Sequence, residues 1–296
     1  MIYRTASDFR RALEDRLTTQ ARAEQRVDPN RLRVSVAFER FLARLFHDDT
    51  KRWVLKGGYA LELRYPGRAR ATRDLDLNVP PPPYPDLLDE LQAAAERDLG
   101  DHFEYKVSAP ASRGALAGPP AGGHRFSVEA LLAGRRFATF PLDVGQGDVT
   151  IREPDHIQGR IDLTFAGIAT PLFPVYPVED HFAEKLHAYT APHEIRTRVK
   201  DLVDLVLLID QGLEPSHLLR ESIAATFQRY ARHPLPPALP QPPAEWQETF
   251  PPLASEVGLA VTNPTEAHAF VEKFLSGWRS TVTRHISGVV GIGLRP

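Results

Sequence analysis

The chain has 296 residues, of which 42% are hydrophobic and 25% are charged, the balance of an ordinary globular protein with one large domain or two smaller ones. Its formal net charge is −2 and it has no cysteine, which excludes an overall basic field, disulfides, thiolate zinc sites and cysteine nucleophiles. The N terminus lacks the apolar core of a signal peptide, and no apolar stretch approaches the roughly 20 residues of a membrane span, so we expect a cytoplasmic protein without membrane contact.

The first half of the chain is predicted to mix helices with strands. The predicted helices are 7–25, 29–47, 59–65 and 86–98, since their apolar residues recur every three or four positions. The predicted strands are 52–56, 74–79, 103–108, 125–132 and 135–143. A loop rich in Gly, Pro and Ala is expected at 110–123.

Beyond Pro177 the apolar residues follow a helical period throughout. The predicted helices are 178–190, 198–210, 214–231 and 264–282. Residues 233–243 are a proline-rich spacer, and the Gly-rich tail 287–296 is expected to be loosely held. We therefore expect an α+β domain with a mixed sheet over residues 1–170, followed by a helical domain over 171–296.

Three aspartates are candidate metal ligands. Asp74 and Asp76 are two residues apart on a predicted strand, so both side chains project from one face. Two adjacent carboxylates repel each other unless a cation compensates, and Mg²⁺ or Mn²⁺ takes oxygen ligands and bridges substrate phosphates. Asp143, at the end of another predicted strand, is a candidate third ligand or general base. The pair alone also fits a chance arrangement at the surface.

A glycine pair lies about sixteen residues before these aspartates. Lys56, Gly57 and Gly58 occupy the predicted junction between a strand and a helix. Glycines there allow the backbone to approach a ligand, and a helix N terminus offers free N–H groups to a phosphate. A tight turn that simply requires glycine is the alternative interpretation.

The helical half contains further candidates. Asp201 and Asp204 share one face of an otherwise apolar helix, and a buried carboxylate needs a partner. Lys185, on the preceding helix, is the candidate partner. The three residues fit either a salt bridge between two helices or part of a functional site.

Basic residues are the candidates for binding RNA or a triphosphate. Four arginines fall within ten residues, namely Arg64, Arg68, Arg70 and Arg73. Three more basic residues lie at the start of the predicted helix 198–210 or just before it, namely Arg196, Arg198 and Lys200. A solvated basic loop is the alternative for the first group.

These motifs together resemble the AbiEii/AbiGii nucleotidyltransferase toxins of the polymerase-β-like superfamily. The segments Lys56-Gly-Gly-Tyr-Ala-Leu-Glu-Leu63 and Arg70-x-Thr-x-Asp-x-Asp76 are similar to the family signature. The segments 178–188 and 196–205 are similar to its later Lys-Leu and Arg-x-x-Asp-x-x-Asp blocks. One departure is that the superfamily's usual Gly-Ser pair reads Gly57-Gly58 here.

The resemblance implies a polymerase-β-like fold and transfer of a nucleoside monophosphate from an NTP, with Mg²⁺ or Mn²⁺ as cofactor. It implies catalytic roles for Asp74, Asp76, Asp143, Lys185, Asp204 and Asp201, with the first three as metal ligands, in a cleft to which the helical domain contributes. It implies nucleotide binding by Lys56, Gly57, Gly58, Thr72, Arg73 and Lys185.

The resemblance also implies partners and regulation. A tRNA acceptor end and a cognate antitoxin are the expected partners, and Thr72 is a candidate site of inactivating phosphorylation. Two other functions stay open at this point. One is a nucleotidyltransferase that modifies small molecules such as aminoglycosides, and the other is a non-catalytic module that binds an NTP or a protein.

Overall fold

The computed structural model describes residues 1–23, 28–47, 53–80, 87–109, 115–116, 121–192 and 197–276. The helices are α1 (Ala6–Ala23), α2 (Pro29–Leu45), α3 (Gly57–Arg64), α4 (Leu87–Ala95), α5 (Val178–Tyr189), α6 (Val199–Asp210), α7 (His217–Tyr230), α8 (Trp246–Glu256) and α9 (Pro264–Ser276). The strands are β1 (Val54–Lys56), β2 (Leu75–Val79), β3 (Phe103–Ser108), β4 (Ala115–Leu116), β5 (Gly123–Leu132), β6 (Arg135–Gln146), β7 (Asp155–Gln158) and β8 (Leu172–Val175).

The eight strands among the described residues belong to one mixed sheet, which confirms the predicted fold class. The strand order is β3-β5-β6-β2-β1-β8-β7, and β4 pairs with β5 outside this path. Strand β2 is parallel to β6 and β1 is parallel to β8, whereas the other pairs are antiparallel. The central position of β2, between β1 and β6, places its polar residues beside two other strands.

The chain divides into two compact units. The first consists of Met1–Arg64, Ala71–Gly147 and Asp155–Val175, and the second of Tyr65–Arg70, Asp148–Pro154 and Tyr176–Pro296. The sheet lies in the first unit, and α5 to α9 lie in the second. The domain boundary near residue 170 stays a prediction.

Helix α2 covers part of the sheet in the first unit. The rings of Phe38 and Phe41 meet Phe140 of β6 edge-on, with centroids 4.7 and 6.1 Å apart. All three rings are buried, and burial of a phenylalanine side chain stabilises a fold by about 1.5–3 kcal/mol. Arg44 anchors the end of the helix, because its guanidinium donates to buried Asp101 at 2.6 Å and to the Phe103 carbonyl at 2.8 Å.

Helix α6 is the core of the second unit. Its residues from Asp201 to Leu208 are all buried, as its lack of a polar face predicts. Within the described part of the chain, no helix has both the length and the apolar character that crossing a membrane requires.

The structure corrects several predicted elements. Strands β4, β7 and β8 and helix α8 were not predicted. Strand β4 has two residues and falls within the loop expected at 110–123, and β7 is short and mostly polar. Strand β8 contains Pro174, and α8 contains Pro251 and Pro252. Strand β6 continues to Gln146, so Asp143 lies inside a strand rather than at its end. The tail 287–296 and the last predicted turns of α9 lie outside the described residues.

The β5–β6 hairpin contains a bulge. Its turn residues, Ala133 and Gly134, both have positive φ, at 54° and 66°, as a tight two-residue hairpin turn requires. Leu131 pairs with Arg136, but Ala130 pairs with Ala138, so β6 carries one additional residue, Phe137.

Candidate active site

Four charged residues lie in line across four neighbouring strands. Lys56 of β1 pairs with Asp76 of β2, and Asp76 pairs with Asp143 of β6. Asp143 in turn pairs with Arg125 of β5. Directly paired residues project to the same face of a sheet, so this charged row has the order Lys56, Asp76, Asp143, Arg125 on one face. The predicted juxtaposition of Asp76 and Asp143 is thus present.

Asp74 comes immediately before β2 and is held by Thr72. The Thr72 hydroxyl donates to Asp74 Oδ1 at 2.6 Å. The Thr72 N–H donates to Glu62 Oε1 at 2.8 Å, and Arg31 donates to Glu62 Oε2 at 3.0 Å. Thr72 is only 7% exposed, so its hydroxyl is enclosed and occupied in orienting a candidate metal ligand.

The two glycines permit close packing at the start of α3. Gly57 has φ +68°, and a Cβ there would lie 1.9 Å from Asp76 Oδ2. A Cβ on Gly58 would lie 2.9 Å from both Cβ and Oγ1 of Thr72. A serine at position 58 would therefore require a shift of Thr72 or of the backbone.

Arg125 is a site residue that the sequence analysis missed. Its Nε and Nη2 each donate to one Asp143 oxygen at 2.6 Å. These hydrogen bonds, together with the charge of Asp143, raise the pKa of Arg125, and the charges of Asp74 and Asp76 add to the rise against the effect of burial. No motif marks Arg125, because its role depends on which strand pairs with β5.

Asp74, Asp76 and Asp143 offer the oxygen ligands that a hard divalent cation prefers. Asp76 and Asp143 are cross-strand partners, and all three aspartates act electrostatically on one guanidinium. Both Asp143 oxygens are bonded to Arg125, and the described segments contain no group of three acidic or histidine side chains arranged to hold a metal ion. A cation at Asp143 would therefore share this carboxylate with the positively charged guanidinium of Arg125.

A separate charged cluster lies in the second unit. Lys185 Nζ is 2.8 Å from Asp204 Oδ2 and 3.2 Å from Asp201 Oδ1, which confirms the predicted pairing. Arg70 adds two bonds of 3.3 Å to Asp204. Burial opposes charge on both partners, but their attraction outweighs it, so the pKa of Lys185 is raised and that of Asp204 is lowered.

Most of the predicted RNA-binding residues have acidic partners. Arg64 contacts Asp155 at 2.7 Å, and Arg68 contacts Asp210 at 2.7 Å. Arg198 lies 3.8 Å from Asp201. Arg73 and Lys200 are exposed, whereas Arg196 lies outside the described residues. Their role in RNA binding stays a prediction.

Comparisons with known proteins bear on the fold and on the family of the chain. A solved structure of MenT4, a nucleotidyltransferase toxin from Mycobacterium tuberculosis H37Rv, matches with a TM-score of 0.59 and 18% identity, over 90% of this chain and 92% of that chain. An antigenic nucleotidyltransferase-like protein from Paracoccidioides brasiliensis gives 14% identity over 78% of this chain and 93% of that chain, and its TM-score of 0.34 is too low to compare folds.

A comparison with curated protein sequences gives no significant match. The family model described as "Nucleotidyl transferase AbiEii toxin, Type IV TA system" matches residues 40–274, which include the charged row, the glycine pair and the Lys185 cluster. The chain therefore belongs to the AbiEii family of nucleotidyltransferase toxins from type IV toxin–antitoxin systems.

Proposed function

We propose that this nucleotidyltransferase toxin transfers a nucleoside monophosphate from an NTP to the 3′ end of tRNA, in a reaction that depends on Mg²⁺ or Mn²⁺, and so blocks translation. The observation that carries the proposal is the cross-strand pairing of Asp76 with Asp143. Asp74 lies two residues before Asp76, and Gly57 lies against the Asp76 carboxylate. A cytoplasmic location and a cognate antitoxin belong to the same proposal, and the family supports the antitoxin.

The carboxylates and the glycine pair have distinct roles in this proposal. Asp74, Asp76 and Asp143 would hold the divalent cation, with Asp143 as third ligand or as the base that accepts the proton of the acceptor hydroxyl. A bound divalent cation neutralises charge that develops on the phosphate oxygens. The first N–H groups of α3, at Gly57 and Gly58, can approach a phosphate because neither residue has a side chain.

The chemical change is a substitution at the α-phosphorus. The acceptor hydroxyl oxygen forms a bond to that phosphorus, the bond to the bridging oxygen breaks, and pyrophosphate leaves. The hydroxyl proton passes to the base. We assign phosphate binding to Lys56, Arg73 and Lys185, and we assign the orientation of Lys185 to Asp204 and Asp201, which contact it.

The test is to incubate the full chain with total tRNA, Mg²⁺ and each labelled NTP in turn. Asp76→Asn removes one ligand charge with little change of shape. Glu129→Gln is the matched control, because Glu129 is also a strand carboxylate, and its partner Arg136, at 2.7 Å, lies outside the charged row. We expect label on tRNA with one NTP, at least about 100-fold less label with Asp76→Asn, and no change with Glu129→Gln.

Two other outcomes would contradict the proposal. Release of pyrophosphate with an aminoglycoside but not with tRNA would identify a small-molecule nucleotidyltransferase. Tight NTP binding without pyrophosphate release, with tRNA or with small acceptors, would identify a binding module.

A further inference from the structure

Arg125 engages both oxygens of a candidate metal ligand. The two bonds, Nε to Oδ1 and Nη2 to Oδ2, are each 2.6 Å long, the side-by-side geometry in which arginine binds a carboxylate most strongly. A metal ion needs at least one of the same oxygens. A guanidinium and a metal ion on the same carboxylate repel each other, so each weakens the binding of the other to Asp143.

The pair is accessible enough to open. The Arg125 side chain is 48% exposed and that of Asp143 is 13% exposed. Because the guanidinium is about half exposed, water can solvate it once the bonds to Asp143 open. The guanidinium can therefore move from Asp143 into water and does not need a new partner in the protein.

Arg125 also acts on the other two aspartates. Asp74 and Asp76 both add to the electrostatic stabilisation of its charge. By reciprocity, Arg125 reduces the negative potential at all three carboxylates. Its replacement by a neutral residue would both free two oxygens and strengthen the attraction for a divalent cation.

We propose that Arg125 is a positioning residue that competes with the divalent cation for Asp143. The metal ion then binds weakly by itself and tightly together with a nucleoside triphosphate. This rests on the proposed function. The released guanidinium suits phosphate oxygens, which it binds in the same bidentate way, so the triphosphate supplies a new partner for Arg125 as the metal takes Asp143.

The test measures binding of Mn²⁺ to the full chain by electron paramagnetic resonance, without nucleotide and with a non-hydrolysable NTP analogue. Arg125→Gln removes the competing charge. Arg136→Gln is the matched control, because Arg136 also pairs with a carboxylate across β5 and β6, at 2.7 Å from Glu129. Without nucleotide, we expect Arg125→Gln to lower the Kd for Mn²⁺ about tenfold and Arg136→Gln to leave it unchanged.

With the analogue, we expect the Kd for Mn²⁺ to fall more in the wild type than in Arg125→Gln, since only the wild type has a competitor to displace. Arg125→Lys keeps the charge but loses the bidentate contact, and an intermediate Kd is expected. It serves as the second variant if Arg125→Gln does not fold, as judged by circular dichroism.

The failures of the two proposals are distinguishable. Mn²⁺ binding that is lost in Asp76→Asn, with a Kd in Arg125→Gln that is unchanged or higher than that of the wild type, would overturn the competition and leave the metal site intact. The absence of Mn²⁺ binding in the wild type and in folded Arg125→Gln would overturn both.

Discussion

Thr72 has a different position from that expected of a regulatory site. Its hydroxyl is bonded to Asp74 at 2.6 Å, and its side chain is almost fully buried. A kinase could reach it only after the segment around residue 72 opened. Phosphorylation of Thr72 stays a prediction, while the observed contact indicates a structural role in orienting Asp74.

Thr72→Val removes the hydroxyl and keeps the shape, whereas Thr72→Ser keeps the hydroxyl. We expect Thr72→Val to lower the rate of nucleotide transfer at least about tenfold, because Asp74 loses the bond that fixes its orientation. Thr72→Ser should stay within about threefold of the wild type. Equal rates for the two variants, in the labelled-NTP assay, would contradict this role.

Asp204 is buried and is the shared partner of Lys185 and Arg70, whose side chains are 15% and 13% exposed. Asp204→Asn would leave Lys185 and Arg70 without their main counterion, so we expect a loss of about 3–5 kcal/mol in the free energy of unfolding. Asp201→Asn is the comparison, because Asp201 makes the longer contact with Lys185 and leaves Asp204 in place. Urea unfolding should show the smaller loss for Asp201→Asn; the reverse order would refute this ranking.

Asp180 should make stability depend on pH. It is fully buried, and burial raises its pKa from 3.8 to about 6 despite hydrogen bonds from the Ser222 hydroxyl and the Ile151 N–H. Because the folded state binds this proton more tightly than the unfolded state, the stabilisation is complete below pH 3.8 and is lost as the pH rises through 6. The total change is of the order of 3 kcal/mol.

The measurement is the difference in unfolding free energy between Asp180→Asn and the wild type from about pH 4.5 to about pH 8. The advantage of the neutral Asn should grow as the pH rises through 6 and then level off. A difference that does not change over this range would show that Asp180 titrates normally.

At the junction between β1 and α3, one glycine meets two requirements: Gly57 has a positive φ and lies against the carboxylate of Asp76. Gly57→Ala must adopt a positive φ, which costs a non-glycine residue about 1–2 kcal/mol, and must also displace Asp76. Gly67→Ala is the control, because Gly67 has φ +74° and a Cβ added there would have no atom within 4 Å. Both variants should lower the melting temperature, but only Gly57→Ala should abolish transfer of labelled nucleotide; an equal loss of activity would refute the contact with Asp76.

Elements with a strong local pattern were predictable, and those defined by their partners were not. The alternation in β2 and the glycines before α3 are legible in sequence because period and backbone freedom are local properties. The third aspartate could be placed because a neighbouring strand was a simple hypothesis. Arg125 could not, since strand pairing depends on contacts between residues that are distant in sequence. The prolines in β8 and α8 concealed both elements.

At the scale of the whole molecule, the mixed sheet and the helical second half followed from composition and period, and the family followed from several motifs in order. The distribution of free positive charge on the surface could not be predicted from the sequence. Arginines that cluster in sequence are paired individually with Asp155, Asp210 and Asp204, so a local count of basic residues overestimates the free positive charge.

RNA binding should therefore depend on few cations and vary only moderately with salt. The double variant Arg73→Gln/Lys200→Gln removes two exposed charges, and we expect the slope of log K against log salt for tRNA binding to decrease in magnitude by about 1–2. Arg136→Gln, an exposed arginine of the hairpin, should leave the slope unchanged. An unchanged slope in the double variant would show that Arg73 and Lys200 do not contact the phosphates of tRNA.

The bulge in the β5–β6 hairpin decides which side chain faces Asp143. If the strands paired in regular antiparallel register from Leu132 and Arg135 at the turn, Arg125 would lie opposite Leu142, and His124 would lie opposite Asp143. The additional residue in β6 shifts the ladder by one position and brings Arg125 to Asp143. A hairpin with the same turn but without the bulge would present the His124 imidazole to the aspartates in place of the Arg125 guanidinium, and Asp143 would lose its two parallel hydrogen bonds.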